Sequence, residues 1–224
     1  LVSRHAIGHD SGTDITSAQN NTLVGYQSGA NITSGNNNVV LGMNAGDAMT
    51  TESGTVIIGT NAGTTINSTD ANGIVAVGMG ALQLLTSGSA NVAMGFEALK
   101  NVTTGQQNIA IGYEAAEGFS VGESNNIAIG YETMTLFDEG DAGGDVDHNI
   151  AIGTNAFKGG DLASNDRQVQ GNIAIGGFAL NSTSDNATTG QIAIGYNSLT
   201  ACTSGLYNTA VGYQSGLAIT TGLN

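Results

Sequence analysis

Asn108-Ile-Ala-Ile-Gly-Tyr-Glu-Ala-Ala116 holds the phrase that decides the fold. Its first five residues recur as Asn38-Val-Val-Leu-Gly42, Asn91-Val-Ala-Met-Gly95, Asn126-Ile-Ala-Ile-Gly130, Asn149-Ile-Ala-Ile-Gly153 and Asn172-Ile-Ala-Ile-Gly176. The closing glycine falls at Gly8, Gly25, Gly42, Gly59, Gly78, Gly95, Gly112, Gly130, Gly153, Gly176, Gly195 and Gly212, mostly 17 residues apart. Within the phrase the two large apolar residues stand two apart, which is strand period, and β-branched side chains suit a pleated surface.

After each glycine comes a second phrase, as in Tyr26-Gln-Ser-Gly29, Phe96-Glu-Ala-Leu99 and Tyr196-Asn-Ser-Leu199, and then a turn such as Thr33-Ser-Gly35 or Thr103-Thr-Gly105. A circuit of 17 residues holds only short strands and turns, so each circuit is one flattened coil. Coils stack in parallel about 4.8 Å apart. The expected fold is all-β, a parallel β-roll or β-solenoid of about twelve coils, roughly 55 Å long. No coil buries enough to stand alone, so the stack is cooperative. Residues 1–224 read as one continuous solenoid segment, with departures from the period near 136–148 and 158–171 expected as loops on one edge.

Composition excludes several classes. With 35 Gly, no Pro, no Trp and a formal net charge of −14, the chain would repel a phosphate backbone, so nucleic acid is not an expected partner. The single cysteine, Cys202, allows neither an internal disulfide nor a Cys-based metal site. The longest apolar run, Ile74 to Leu82, falls far short of the ~20 residues of a membrane span, so no membrane insertion is expected. The chain starts at Leu1 and stops at Thr221-Gly-Leu-Asn224, where another strand phrase is due, so an excerpt of a longer fibre is expected.

If Ile109 and Ile111 point into the coil, Asn108, Ala110 and Gly112 point out of it. The middle position is Ala at Ala6, Ala76, Ala93, Ala110, Ala128, Ala151, Ala174, Ala193 and Ala210. Such a smooth outward ladder would let other backbones approach, which predicts a homotrimer packed through it. The alternative is that small residues merely suit tight coils in a monomer.

These repeats resemble the Asn-x-Ala-x-Gly head repeats of trimeric autotransporter adhesins and the related repeats of bacteriophage tail fibres, over essentially the whole chain. The resemblance implies a trimer of left-handed parallel β-rolls. The period here is longer than the compact adhesin repeat and carries the added Tyr-x-Ala-Leu and Thr-Thr-Gly phrases, which favours the phage-fibre kind. The expected role is a structural and adhesive fibre segment, a tail fibre in host attachment, on a virion or a cell surface. A bacterial trimeric surface adhesin head is the alternative. The expected partners are further copies of the chain and a host-surface receptor, with a glycan as the candidate.

Candidate chemistry is sparse. Tyr26, Tyr113, Tyr131, Tyr196 and Tyr213, with Phe96, follow the repeat glycine and form a column that either stacks on sugar rings or stacks on itself. Asn21, Asn38, Asn91, Asn108, Asn126, Asn149, Asn172 and Asn208 read as a hydrogen-bonded ladder serving turn backbone. The insert gathers Asp138, Glu139, Asp141, Asp145 and Asp147, oxygen ligands for Ca²⁺ in principle, but their spacing fits no calcium loop and a solvated acidic loop is expected. No carboxylate pair suits glycan hydrolysis, as a polysaccharide-degrading tailspike would need, and His5, His9 and His148 lack a Ser or Cys partner. An ice-binding surface needs Thr alternating on one face, whereas Thr103-Thr104 and Thr188-Thr189 are adjacent. The chain is expected to be no enzyme, with no catalytic, cofactor-binding or metal residues and no cofactor.

Overall fold

The computed structural model describes residues 4–137, 145–160, 168–183 and 187–221. Among them all regular structure is strand, without helix. Twelve strands, from Arg4–Ile7 to Thr209–Val211, form one parallel sheet in which each strand pairs with its counterpart one coil away, so that they bracket about eleven turns of a β-solenoid. Ile111 lies between Met94 and Ile129, as the period predicts. The glycine phrase sets this register. Gly112 adopts φ 139°, and a Cβ there would run into the Gly130 carbonyl of the next coil.

The faces are reversed from the sequence expectation. Ala110 is fully buried, whereas Ile111 on the same strand is 36% exposed and Ile109 is half-buried. The same holds along the sheet, with Ala76, Ala93, Ala128, Ala151, Ala174 and Ala193 buried in the coil interior. Two physical facts force the reversal. Asn108 is buried because its side chain serves the turn backbone, and strand alternation then puts Ala110 on Asn108's side and both isoleucines on the other. The opposite wall of the coil also already supplies the bulk, through Ile32, Met49, Ile66, Leu85, Val102 and Phe119, all fully buried. From Ala76 to Ala210 the Ala ladder is therefore core and offers no surface to a second chain; only Ala6, on the first strand, is exposed.

The loop-bearing coils differ from the expectation at their margins. Asp145–Asp147 and Gln168–Gln170 are strands, not loop, and they join Thr188–Thr189 and Gly205–Leu206 in a second parallel sheet of four strands. Val146 and Val169 pair with each other and are fully buried. Phe137, at the start of the first expected loop, is also core, packed edge-on against Phe157 at a 4.8 Å centroid distance. The middle parts of the two expected loops lie outside the described residues.

Candidate binding faces

The outer side of the long sheet carries two apolar columns. One runs through Val39, Val56, Val75, Val92, Ile109 and Ile127, all half-buried; the other through Val24, Leu41, Ile58, Val77, Met94 and Ile111. Both continue into the later coils at Ile150, Ile152, Ile173, Ile175, Ile192 and Ile194. The strip is about 50 Å long and, with the aromatic column beside it, about 13 Å wide. That makes about 700 Å², above the ~300–600 Å² of the largest apolar patch on an ordinary monomer and close to the ~800 Å² that one partner buries in a standard interface.

The aromatic column lies beside this strip. Phe96, Tyr113 and Tyr131 stack face to face at 5.0 and 5.2 Å, and Tyr196 stacks on Tyr213 at 5.9 Å. Phe178 meets Tyr196 edge-on, and His9 stacks on Tyr26. Ring faces within the stacks are thus taken by neighbouring rings, and edges and hydroxyls remain outward. The Tyr113 and Tyr131 hydroxyls bond to the Glu114 and Glu132 carboxylates, which holds both phenols above the ordinary range.

The asparagine column is a buried ladder. Asn126 Nδ2 donates to Val146 O at 2.6 Å, while its Oδ1 accepts from Asn149 N at 3.0 Å, and Asn108, Asn149 and Asn172 repeat the scheme. Each of these side chains thereby satisfies a carbonyl of the next coil and the amide of the next ladder residue, groups that burial would otherwise leave unpaired. A second ladder escapes the sequence reading because its residue type varies. Gln19 N donates to Asn36 Oδ1, Asn36 N to Ser53 Oγ, and Ser53 N to Asn72 Oδ1. Farther along, Gln106 N donates to Ser124 Oγ and Ser124 N to Asp147 Oδ1. Only a polar residue two before the asparagine-column position of most coils, where Thr55 and Ile74 stand in two of them, signals it.

Of the acidic insert, Asp138, Glu139 and Asp141 lie outside the described residues. Asp147 is occupied in the second ladder, and Asp145 accepts from Gln170 Nε2 at 3.4 Å. Among the described residues no group of three or more His, Cys, Asp or Glu is placed to hold a metal ion. His9 pairs with Asp10 at 2.9 Å at the surface, and His5 and His148 are exposed. The turn threonines are also occupied, since the Thr33, Thr86 and Thr103 hydroxyls donate to carbonyls of the following coil. Glu52 is fully buried, accepting from the Thr50 and Thr51 amides at 2.6 and 2.9 Å. No helix among the described residues is long and apolar enough to cross a membrane.

No protein family, no curated protein and no solved structure matches the chain.

Proposed function

We propose that the chain is a non-catalytic segment of a homotrimeric fibre, borne on a virion and serving host attachment. The resemblance of its repeats admits the head of a bacterial surface adhesin as a second setting. One observation carries the reading: an outer strip of Ile, Val, Leu and Met, one column of which runs along all twelve stacked strands from Ile7 to Val211 and the other along nine of them from Val39 to Ile192. A strip of that area on a chain of net charge −14 favours self-association along the rod axis, because only apolar contact offsets the mutual repulsion of such acidic chains. Parallel rods sharing this strip would bring Ile111, Ile129 and Ile152 of each copy towards a common axis. The number three follows from the resemblance.

Light scattering tests the assembly. The parent segment is expected at three times the chain mass, and the triple variant Ile111→Lys, Ile129→Lys, Ile152→Lys at one chain mass with an unchanged β-type circular dichroism spectrum. A parent that stays monomeric at high concentration, or a lysine variant that still trimerises, would overturn the reading.

A further inference from the structure

We infer that the turn ridge of the coils between Gly59 and Gly112 carries a binding groove for a neutral saccharide chain. The proposal rests on the attachment reading, whose receptor class it names.

The groove begins with a local lengthening of the repeat. From Gly59 to Gly78 the coil has two more residues than its neighbours, and the excess lies in the exposed stretch that holds Thr69 and Asp70. That stretch forms a lip over two regular turns, and a polar groove opens between Thr69, Asp70 and Asn72 on one side and Ser87, Ser89 and Gln106 on the other. Asn72 Nδ2 donates to Thr69 O at 2.5 Å, which ties the lip down.

The second ladder is interrupted here. Asn72 Oδ1 receives the Ser53 amide, and the ladder resumes only where Ser124 receives the Gln106 amide. Between these points Ser89 and Gln106 occupy ladder positions, yet among the described residues their side chains make no hydrogen bond, and neither does the Asp70 carboxylate. The Asn72 and Ser89 amides likewise have no acceptor among the described residues. In other coils the same position is taken up by the stack itself, as with Asn36, Ser53, Ser124 and Asp147.

What this groove offers is a mixture of hydroxyl, amide, backbone N–H and carboxylate, with both donors and acceptors. Hydroxyl-rich ligands match such a mixture, since each sugar hydroxyl both donates and accepts. Asp70 and the absence of Lys or Arg from the lining disfavour an anionic chain. Three coils at about 4.8 Å spacing give room for a short run of linked pyranose rings, about one ring per coil.

The test is amide shift mapping on the assembled, ¹⁵N-labelled segment titrated with cellohexaose, maltohexaose, mannohexaose and, as the charged comparison, an oligogalacturonate. At least one neutral oligomer should shift the amides of residues 69–72, 87–89 and 104–106, and the double variant Asp70→Ala, Gln106→Ala should weaken that binding at least tenfold. Neither side chain takes part in the fold's own hydrogen bonds, so the variant keeps the parent spectrum elsewhere. No shift of these amides by any neutral oligomer, equal binding by the double variant, or stronger binding of the oligogalacturonate would overturn the assignment. Light scattering on the same samples separates the two claims. A trimer with a silent groove sinks the groove alone, and a monomer with a responsive groove sinks the fibre reading alone.

Discussion

The two faces of the long sheet are built to opposite rules. Over most coils its inner face is Asn, Ala and Gly, small or hydrogen-bonded, and the outer face of the same strands is mainly Ile and Val. A coil of 17 residues is too thin to hold large side chains on both walls. Where the strand supplies bulk inside, as at Leu23, Val40 and Ile57, the facing position six residues later is Gly29, Gly46 or Gly63. Where the strand has Ala76, Ala93, Ala174 or Ala193, that position is Leu82, Leu99, Leu180 or Leu199. The interior is thus filled once, from alternating walls, and the outer columns add nothing to the protomer's own core.

The sharpest way to break the inner face is at its closest approach. Gly112→Ala places a methyl group against the Gly130 carbonyl, at a φ of 139° that L residues rarely adopt. Gly73→Ala sits at φ 67°, in the left-handed region that non-glycine residues of this chain also adopt, and meets nothing within 4 Å. The first substitution should cost more than about 4 kcal/mol, and the second about 1–2 kcal/mol. Urea denaturation of both variants checks it; equal losses would mean that backbone conformation, and not coil contact, limits this position.

Exchanging bulk between the walls tests complementarity more directly. Leu99→Gly should cost about 2–5 kcal/mol through the cavity it leaves, and Ala93→Ile about 1–3 kcal/mol through overpacking. Together they recreate the Ile57 and Gly63 pairing, and Gly also suits the left-handed φ of 49° at position 99. The double variant should therefore be more stable than the sum of the singles implies, by about 1–3 kcal/mol. Strict additivity would show that the two positions do not share the interior.

Much of this architecture is legible in the sequence. The glycine period gives the coils, their register and the stacking of Ile111 on Met94 and Ile129. Alternation in Asn-Ile-Ala-Ile-Gly shows two faces without saying which is inside, since apolar side chains are ordinarily assigned to the core. The decisive signal is the reciprocal variation of Leu23 with Gly29 and Ala93 with Leu99, which is written in the chain but spans two phrases. The apparent loop margins hide core because Val146 and Val169 stand alone among polar neighbours. The groove beside Asp70 shows in the sequence only as a 19-residue step from Gly59 to Gly78, since the interruption of a ladder is a relation among three coils.

The ladder on the inner face should respond less than the close contact but more than any outer polar group. Asn126→Leu withdraws a donor from the Val146 carbonyl and leaves the buried Asn149 amide without its side-chain acceptor. Such a loss costs about 1–3 kcal/mol. Thermal unfolding should show the loss, accompanied by faster hydrogen exchange at residues 146–150. Unchanged exchange there would mean that the neighbouring turn finds another partner.

Outer polar contacts between coils should contribute least, and the Glu132–Lys158 pair makes the point measurable. Lys158 Nζ lies 2.7 Å from Glu132 Oε2, and that hydrogen bond, followed by the one from Tyr131, holds the Glu132 carboxyl below its ordinary value of 4.5. A carboxyl lowered in the folded state binds its proton more weakly there than in the unfolded chain. Its stabilisation is therefore fully present above the ordinary value and is lost as the pH falls through the lowered one. Both side chains retain roughly a quarter of their exposure, so screening keeps the contribution near the surface-pair range of about 0.2–1 kcal/mol. Lys158→Met should lower the unfolding midpoint slightly at pH 7 and leave a progressively smaller difference from the parent as the pH falls below the ordinary carboxyl value and Glu132 takes up its proton. The gap at pH 7 should also shrink in high salt. A difference that is independent of pH and salt would assign the effect to the lysine's aliphatic stem, and so to packing, the same force that orders the inner face.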